Sequence, residues 1–379
     1  MGPQALPQEA PIPQRTWLQF RSRDPATFIS GIGPVCIDEY QHVPLVLDAI
    51  KAELNRDGRP GRYLLTGSAR HESLPGVAQA LTGLLHRLPV YPLSQGEIAG
   101  IEENFLERMF AGEVESLGGK TSATSREGYI ERVVAGGFPM LLARASAASR
   151  ARWLDDCVSL TLERDVRELA RIDEAAALPR LLERLAGQTG QILNVTSAAS
   201  ELGIAQRTAD GYVRLLEAVF LVRRLPAWGT TLTARAGSRP KLHVVDSGFA
   251  ARLLRLTPEK LARRDPTALT ELGHLLETFV VGELMKQASW MDGIAGVGHW
   301  RTRDDDEVDL VIERDDGAIV AFEVKAAQRV GGKEFGALRK LRDAAGEAFL
   351  AGIALYLGER AYQAEERLYV APVDQLWAS

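Results

Sequence analysis

Cysteine is scarce: Cys36 and Cys157 are the only two in 379 residues, isolated and far apart. That excludes a disulfide framework and a cysteine-built zinc site, and a reducing cytoplasm is the expected compartment. Long hydrophobic runs are missing too. No apolar stretch approaches the ~20 residues that cross a bilayer, so no membrane partner is expected. The opening MGPQALPQEAPIPQRT has Pro and Gln where a secretion signal needs an apolar centre. Charge of one sign is modest, with 45 Lys+Arg opposing 50 Asp+Glu. Its distribution is uneven, however. Residues 186–264 hold 12 Lys/Arg against 5 Asp/Glu, whereas residues 265–379 hold 12 against 21. A hydrophobic content of 46% and a charged content of 25% fit two or three ordinary globular domains.

The richest segment is EVDLVIE, the turn RDDG, then AIVAFEVKA, a β-hairpin carrying Asp309, Glu323 and Lys325. Strand alternation puts Glu323 and Lys325 on one face with Ile319 and Ala321, and Val320, Phe322 and Val324 on the other. Charged groups on an otherwise apolar strand are costly unless something offsets them. Two carboxylates can hold a hard divalent cation such as Mg²⁺, here Asp309 and Glu323, and a lysine beside them can orient a water. The bland alternative is a structural hairpin with a partly exposed ion pair. Upstream, residues 271–290 read as an amphipathic helix with Glu277 near its centre, and Glu283 is a second, weaker acid a third of a turn away. Strands are expected at 298–302, 351–358 and 367–373, and a helix over 333–345. This α-β-β-β-α-β order resembles the restriction-endonuclease-like, PD-(D/E)xK core, with Glu277, Asp309, Glu323 and Lys325 as its catalytic quartet.

The basic middle, residues 195–228, reads as helix, tight turn, helix and a β-hairpin wing: a winged helix-turn-helix. Ala199 lets two helices cross closely and Gly203 takes the left-handed turn. The second helix, starting near Ala205, would expose Gln206, Arg207, Thr208 and Asp210 and bury Tyr212, Val213, Leu215 and Leu216. Gln206, Arg207, Thr208, Arg214, Arg223 and Arg224 are the candidate DNA contacts. A packing module is the alternative. In RPKLHVVDSGFAARLL (239–254), Asp246 or Ser247 is expected to cap a helix rather than catalyse.

In the first third, GPVCIDEYQ (33–41) is a short apolar strand ending in Asp38-Glu39, the Walker B arrangement in which Asp holds Mg²⁺ and Glu polarises water. RPGRYLLTGSAR (59–70) is a second strand, with Thr66 and Ser68 placed to sense a γ-phosphate. HRLPVYPLSQGEI (86–98) reads as the next strand and exit loop. Absent from residues 1–32 is any Gly-x4-Gly-Lys-Ser/Thr loop. Gly119-Lys120-Thr121 is no substitute: Val114 stands where the first Gly belongs, and no apolar strand precedes it. It is expected to be a plain loop.

The order of Walker B, LLTGS, YPLS-x-x-E, GGFP (136–139), LERDVREL (162–169), PKLHVVDSG and EVDLVIE…EVK resembles a prokaryotic family of AAA-type ATP-binding proteins with a C-terminal domain of unknown function. The resemblance implies an ATPase core that uses ATP. Two departures stand out: the P-loop is missing, and Leu84 follows Gly83 where members carry Gly-Arg. Each charge-assisted hydrogen bond to phosphate lost with the P-loop is worth about 1.5–3 kcal/mol, so weak ATP binding is expected. The expected fold class is α/β multidomain. It comprises a Pro/Gln-rich leader (1–22), a partial P-loop/AAA-type core (23–125), a helical linker (126–185), a winged helix (186–264) and a restriction-endonuclease-like α/β domain (265–379). Arg164 and Arg167 are expected to pair on the helix surface with Glu163 and Glu168 rather than act as arginine fingers. Two other functional classes fit the sequence: a non-enzymatic DNA-binding or toxin–antitoxin-like regulator with vestigial sites, and an ATPase whose C-terminal fold only mediates assembly. A homo-oligomer is compatible with all three.

Overall fold

Val35–Ile37 (β2) and Tyr63–Leu65 (β3) are the apolar strands expected beside Asp38 and Thr66, and with Gln14–Arg15 (β1) they form a parallel sheet in the order β1-β2-β3. The computed structural model describes residues 14–15, 24–29, 34–43, 45–70, 81, 83–166, 176–229 and 239–378. Most of the leader and Arg167 lie outside them. The chain forms two compact units. One comprises Met1–Leu88, Leu160–Asp173 and Arg214–Phe220; the other comprises Pro89–Ser159, Glu174–Val213 and Leu221–Ser379. In the first, helix Leu45–Arg56 turns Val46, Leu47 and Ile50 onto Phe28, Ile29, Val35 and Ile37 to make the core.

Residues 86–98, expected as a strand and exit loop, form no strand. Pro89 and Pro92 lack the N–H groups that a ladder needs. The sequence Ser-x-x-Glu instead starts helix Gln95–Ala99 with a capping box: Ser94 Oγ accepts from Glu97 N (3.1 Å), and Glu97 Oε2 accepts from Ser94 N (2.8 Å). Gly119-Lys120-Thr121 is a loop. Its backbone pairs with the turn at Arg360-Ala361 through Gly119 N to Ala361 O (3.1 Å) and Ala361 N to Lys120 O (2.9 Å).

Two glycine-containing motifs lock together here. Asp246 caps helix Ser247–Leu253 by accepting from Phe249 N (2.9 Å), and its other oxygen accepts from Gly137 N (2.8 Å). A Cβ on Gly137 would lie 2.2 Å from Leu93 O, and one on Gly248 would lie 2.7 Å from Gly136 N. GGFP and VVDSG therefore form a backbone-to-backbone contact that only glycine permits.

Helix Val195–Leu202 is capped by Asn194, ends at Gly203 in the left-handed region (φ 70°) and is followed by helix Gln206–Ala218. Strands Gln191–Ile192 (β4), Val222–Leu225 (β5) and Lys241–Val244 (β6) then form an antiparallel sheet in the order β4-β6-β5.

The C-terminal sheet has six strands: Ile294–Arg301 (β7), Glu307–Arg314 (β8), Ile319–Lys325 (β9), Phe349–Tyr356 (β10), Tyr362–Glu365 (β11) and Leu368–Pro372 (β12), in the order β11-β12-β10-β9-β8-β7. β7, β8 and β9 are an antiparallel meander, whereas β10 runs parallel to both β9 and β12. The RDDG turn closes on Gly317 at φ 84°. Helix Gly336–Ala345 provides the crossover from β9 to β10 that a parallel pair requires. Helix Pro266–Trp290 begins five residues earlier than its apolar pattern indicates, because Asp265 caps it and Pro266 fits its first turn. β11, too polar to read as a strand, is an edge hairpin partner of β12.

Candidate functional site

Three acids meet on one ammonium. Glu277 comes from the middle of helix Pro266–Trp290, and Glu307 and Asp309 from one face of β8. Between them lies Lys241, the first residue of β6, with its side chain fully buried. Lys241 Nζ reaches Glu277 Oε1 at 2.8 Å, Asp309 Oδ1 at 2.8 Å and Glu307 Oε1 at 2.6 Å. The ammonium donates hydrogen bonds to Glu277 and Asp309, and Glu307 adds a third ion pair. Asp309 Oδ2 accepts from Val324 N (2.8 Å), which ties β8 to β9 beside the site. On β9, Lys325 Nζ donates to Glu323 Oε1 at 2.5 Å, while Glu323 Oε2 is buried with no hydrogen-bond partner among the described residues.

Electrostatics follow from burial. Loss of water pushes the Glu277 carboxyl well above its ordinary range, and the nearby Asp309 charge adds to this. Burial, then Asp309, pushes Glu323 up to about 8. Burial alone would drive Lys241 down, but Asp309, Glu277 and Glu307 override it and hold the ammonium well above its usual value. Lys241 is therefore charged, and the acids compete for it. His243, two residues on, is fully enclosed; burial and the Lys241 charge keep it neutral, with Nδ1 3.2 Å from Thr278 Oγ1. His299, pushed down to about 4 by burial and then Lys241, is neutral as well.

The predicted quartet is thus brought together in part. Glu277 and Asp309 share Lys241, and the charges of Asp309 and Lys241 act on Glu323. Among the described residues, no group of three or more His, Cys, Asp or Glu side chains is arranged to hold a metal ion. The expected Mg²⁺ site at Asp309 and Glu323 does not fit this arrangement, because the cation among the acids is an amino group. Glu283 is engaged elsewhere: it binds Lys286 (2.6 Å) and accepts from Gln95 N (2.7 Å). Lys241 was the residue that sequence reading missed. Its signal was the alternation in KLHVV, which puts Lys241 and His243 on one face of a short, otherwise apolar strand.

In the first unit, Asp38, Glu39, Thr66 and Ser68 converge where β2 and β3 end. Thr66 Oγ1 donates to Asp38 Oδ1, and Glu39 accepts from Gln41 Nε2 and from Ser68 Oγ (3.4 Å). Glu39 takes the left-handed conformation (φ 51°), a strain of about 1–2 kcal/mol in a non-glycine residue. The set suits a hydrated Mg²⁺ held by Asp38 and a water polarised by Glu39. Such an ion, when bound with nucleotide, would supply charge neutralisation at the phosphates.

On helix Gln206–Ala218, Gln206, Arg207 and Arg214 are exposed, while Thr208 and Asp210 are half-buried. Tyr212, Val213 and Leu216 are buried, and Leu215 is half-buried. Arg224 is exposed, but Arg223 turns inward. Its guanidinium lies 4.7 Å from the centre of the Tyr91 ring and donates to Met285 Sδ (2.8 Å), which removes it from the candidate DNA-contact set.

Comparison with known proteins places these sites in named regions. An AAA domain model matches residues 13–99. Two models of domains of unknown function, DUF8612 and DUF4143, match residues 126–260 and 272–376. The N-terminal part is ATPase-like. Uncharacterized proteins of Mycobacterium tuberculosis and Mycobacterium bovis are each 26% identical to this chain over 360 residues, covering 94% of it and 72% of the relative. No solved structure matches. The four acids Glu277, Glu307, Asp309 and Glu323 lie within the DUF4143 match, whereas Lys241 lies within the DUF8612 match. Among the described residues, no helix is long and apolar enough to cross a membrane.

Proposed function

We propose that this chain is a DNA-binding protein with an ATPase-like N-terminal part, a winged helix-turn-helix in its middle and a nuclease-like C-terminal domain whose acidic centre is neutralised from within. The observation that carries the reading is the outer face of helix Gln206–Ala218. Arg207 and Arg214 are exposed two turns apart on it, with Gln206 at its start, in the segment of the chain where basic residues outnumber acidic ones. Exposed arginines on one helix face can contact backbone phosphates, and the second helix of a helix-turn-helix is the one such modules present to DNA. Fluorescence anisotropy with a labelled duplex of about 30 base pairs tests it. Arg207→Ala/Arg214→Ala should weaken binding about tenfold or more at low salt and lower the salt slope by about 2. Unchanged affinity and slope would move DNA contact away from this helix.

A further inference from the structure

Lys241 reaches the acids from a different sheet, and the backbone explains how it is held there. Lys241 pairs with Ile192 of β4 and Leu225 of β5. Just past β5 the chain joins the edge of the six-stranded sheet: Trp228 N donates to His299 O (2.6 Å) and His299 N to Pro226 O (3.0 Å). The His299 ring adds a contact from Nε2 to Arg239 O (3.1 Å), two residues before Lys241. Gly298 makes the approach possible, since a Cβ there would lie 2.7 Å from Pro226 O. The two sheets are thus welded, and the weld fixes Lys241 in register with Glu277, Glu307 and Asp309.

Three carboxylates from two elements around one centre resemble a coordination shell, but the N···O distances of 2.6–2.8 Å are those of charge-assisted hydrogen bonds. A divalent ion would need about 2.0–2.6 Å and the removal of the ammonium. Glu323, with 7% of its surface exposed and one oxygen unpartnered, adds unused acceptor capacity beside Asp309. We infer that Lys241 is the resident cation of this acidic centre, standing where a divalent metal would have to sit, so that the centre binds a divalent ion only once that lysine is removed. This does not depend on DNA binding by the helix-turn-helix.

The test uses the full chain and Mn²⁺ alone, with free Mn²⁺ followed by electron paramagnetic resonance. The parent protein and Lys241→Met are titrated, each with and without Asp309→Asn, so that Mn²⁺ held by the ATPase-like part is subtracted. Lys241→Met should gain an Asp309-dependent Mn²⁺ site at least about tenfold tighter than any such binding by the parent. If Lys241→Met does not fold, Lys241→Met/Glu307→Gln, with one carboxylate charge fewer at the centre, takes its place. Asp309-dependent binding of equal strength in the parent would show that metal and lysine coexist and overturn the inference. So would the lack of such a site in the variant that folds.

Discussion

Lys241→Met lowers the unfolding free energy by about 3–5 kcal/mol near pH 8, as removing one partner of a buried ion pair does. Methionine fills most of the lysine's volume, so the cost is electrostatic rather than a cavity. Three carboxylates that shared one ammonium are left without it: Glu277, Glu307 and Asp309. Glu307 keeps Arg301 (3.4 Å) and part of its contact with water, whereas Glu277, which burial already pushes up, is relieved by taking up a proton. This sets the sign of the pH dependence. In the variant Glu277 stays raised above its unfolded value with no ammonium to hold it down, so the folded state binds more protons and its stability falls as pH rises above about 4.5. The deficit against the parent should therefore be largest at pH 8 and shrink toward pH 5. Adding Glu277→Gln to Lys241→Met should recover part of the loss, because one buried acid then no longer carries a charge. Urea unfolding at both pH values reads all of this. A Lys241→Met variant as stable as the parent at pH 8 would show that the ammonium is not seated among the acids.

Gly137→Ala is expected to cost about 3 kcal/mol or to prevent folding, at or beyond the upper end of ordinary overpacking. The new methyl group would stand 2.2 Å from Leu93 O, a backbone atom that cannot rotate away. Leu93 N also donates to Gly137 O (2.8 Å), and Gly137 N donates to Asp246 (2.8 Å). Any shift that relieves the clash strains both bonds and the cap on helix Ser247–Leu253. Gly273→Ala is the control, since nothing lies within 4 Å of a Cβ there. That exchange should be neutral or slightly stabilising on helix propensity. Equal stability for the two variants by urea unfolding would mean that the Gly137–Leu93 contact yields at little cost.

These expectations separate what neighbouring residues encode from what distant ones impose. The hairpin bearing Asp309, Glu323 and Lys325 was legible because strand alternation and the RDDG turn are set within a few residues. The left-handed Gly203 and the Asp246 cap were legible for the same reason, whereas Asp38 and Thr66, 28 residues apart, meet because β2 pairs with β3. Where sequence reading went wrong at close range, competing local chemistry was present: prolines dismantled the strand expected within residues 86–98, and Asp265-Pro266 started the long helix before its apolar stripe began. The inward turn of Arg223 had no local cue, since Tyr91 and Met285 lie far away in the chain.

By itself, then, the sequence determined the order of elements and which acids face inward. Only the tertiary structure decided which cation meets them. Lys241 lies 36 residues from Glu277 and 68 from Asp309, and nothing in its neighbours specifies either partner. The pairing is fixed by the joining of two sheets at Pro226–Trp228 and His299, which carries a lysine into a space with little water. There, the ammonium and the buried Glu277 and Asp309 carboxylates offset each other's loss of water.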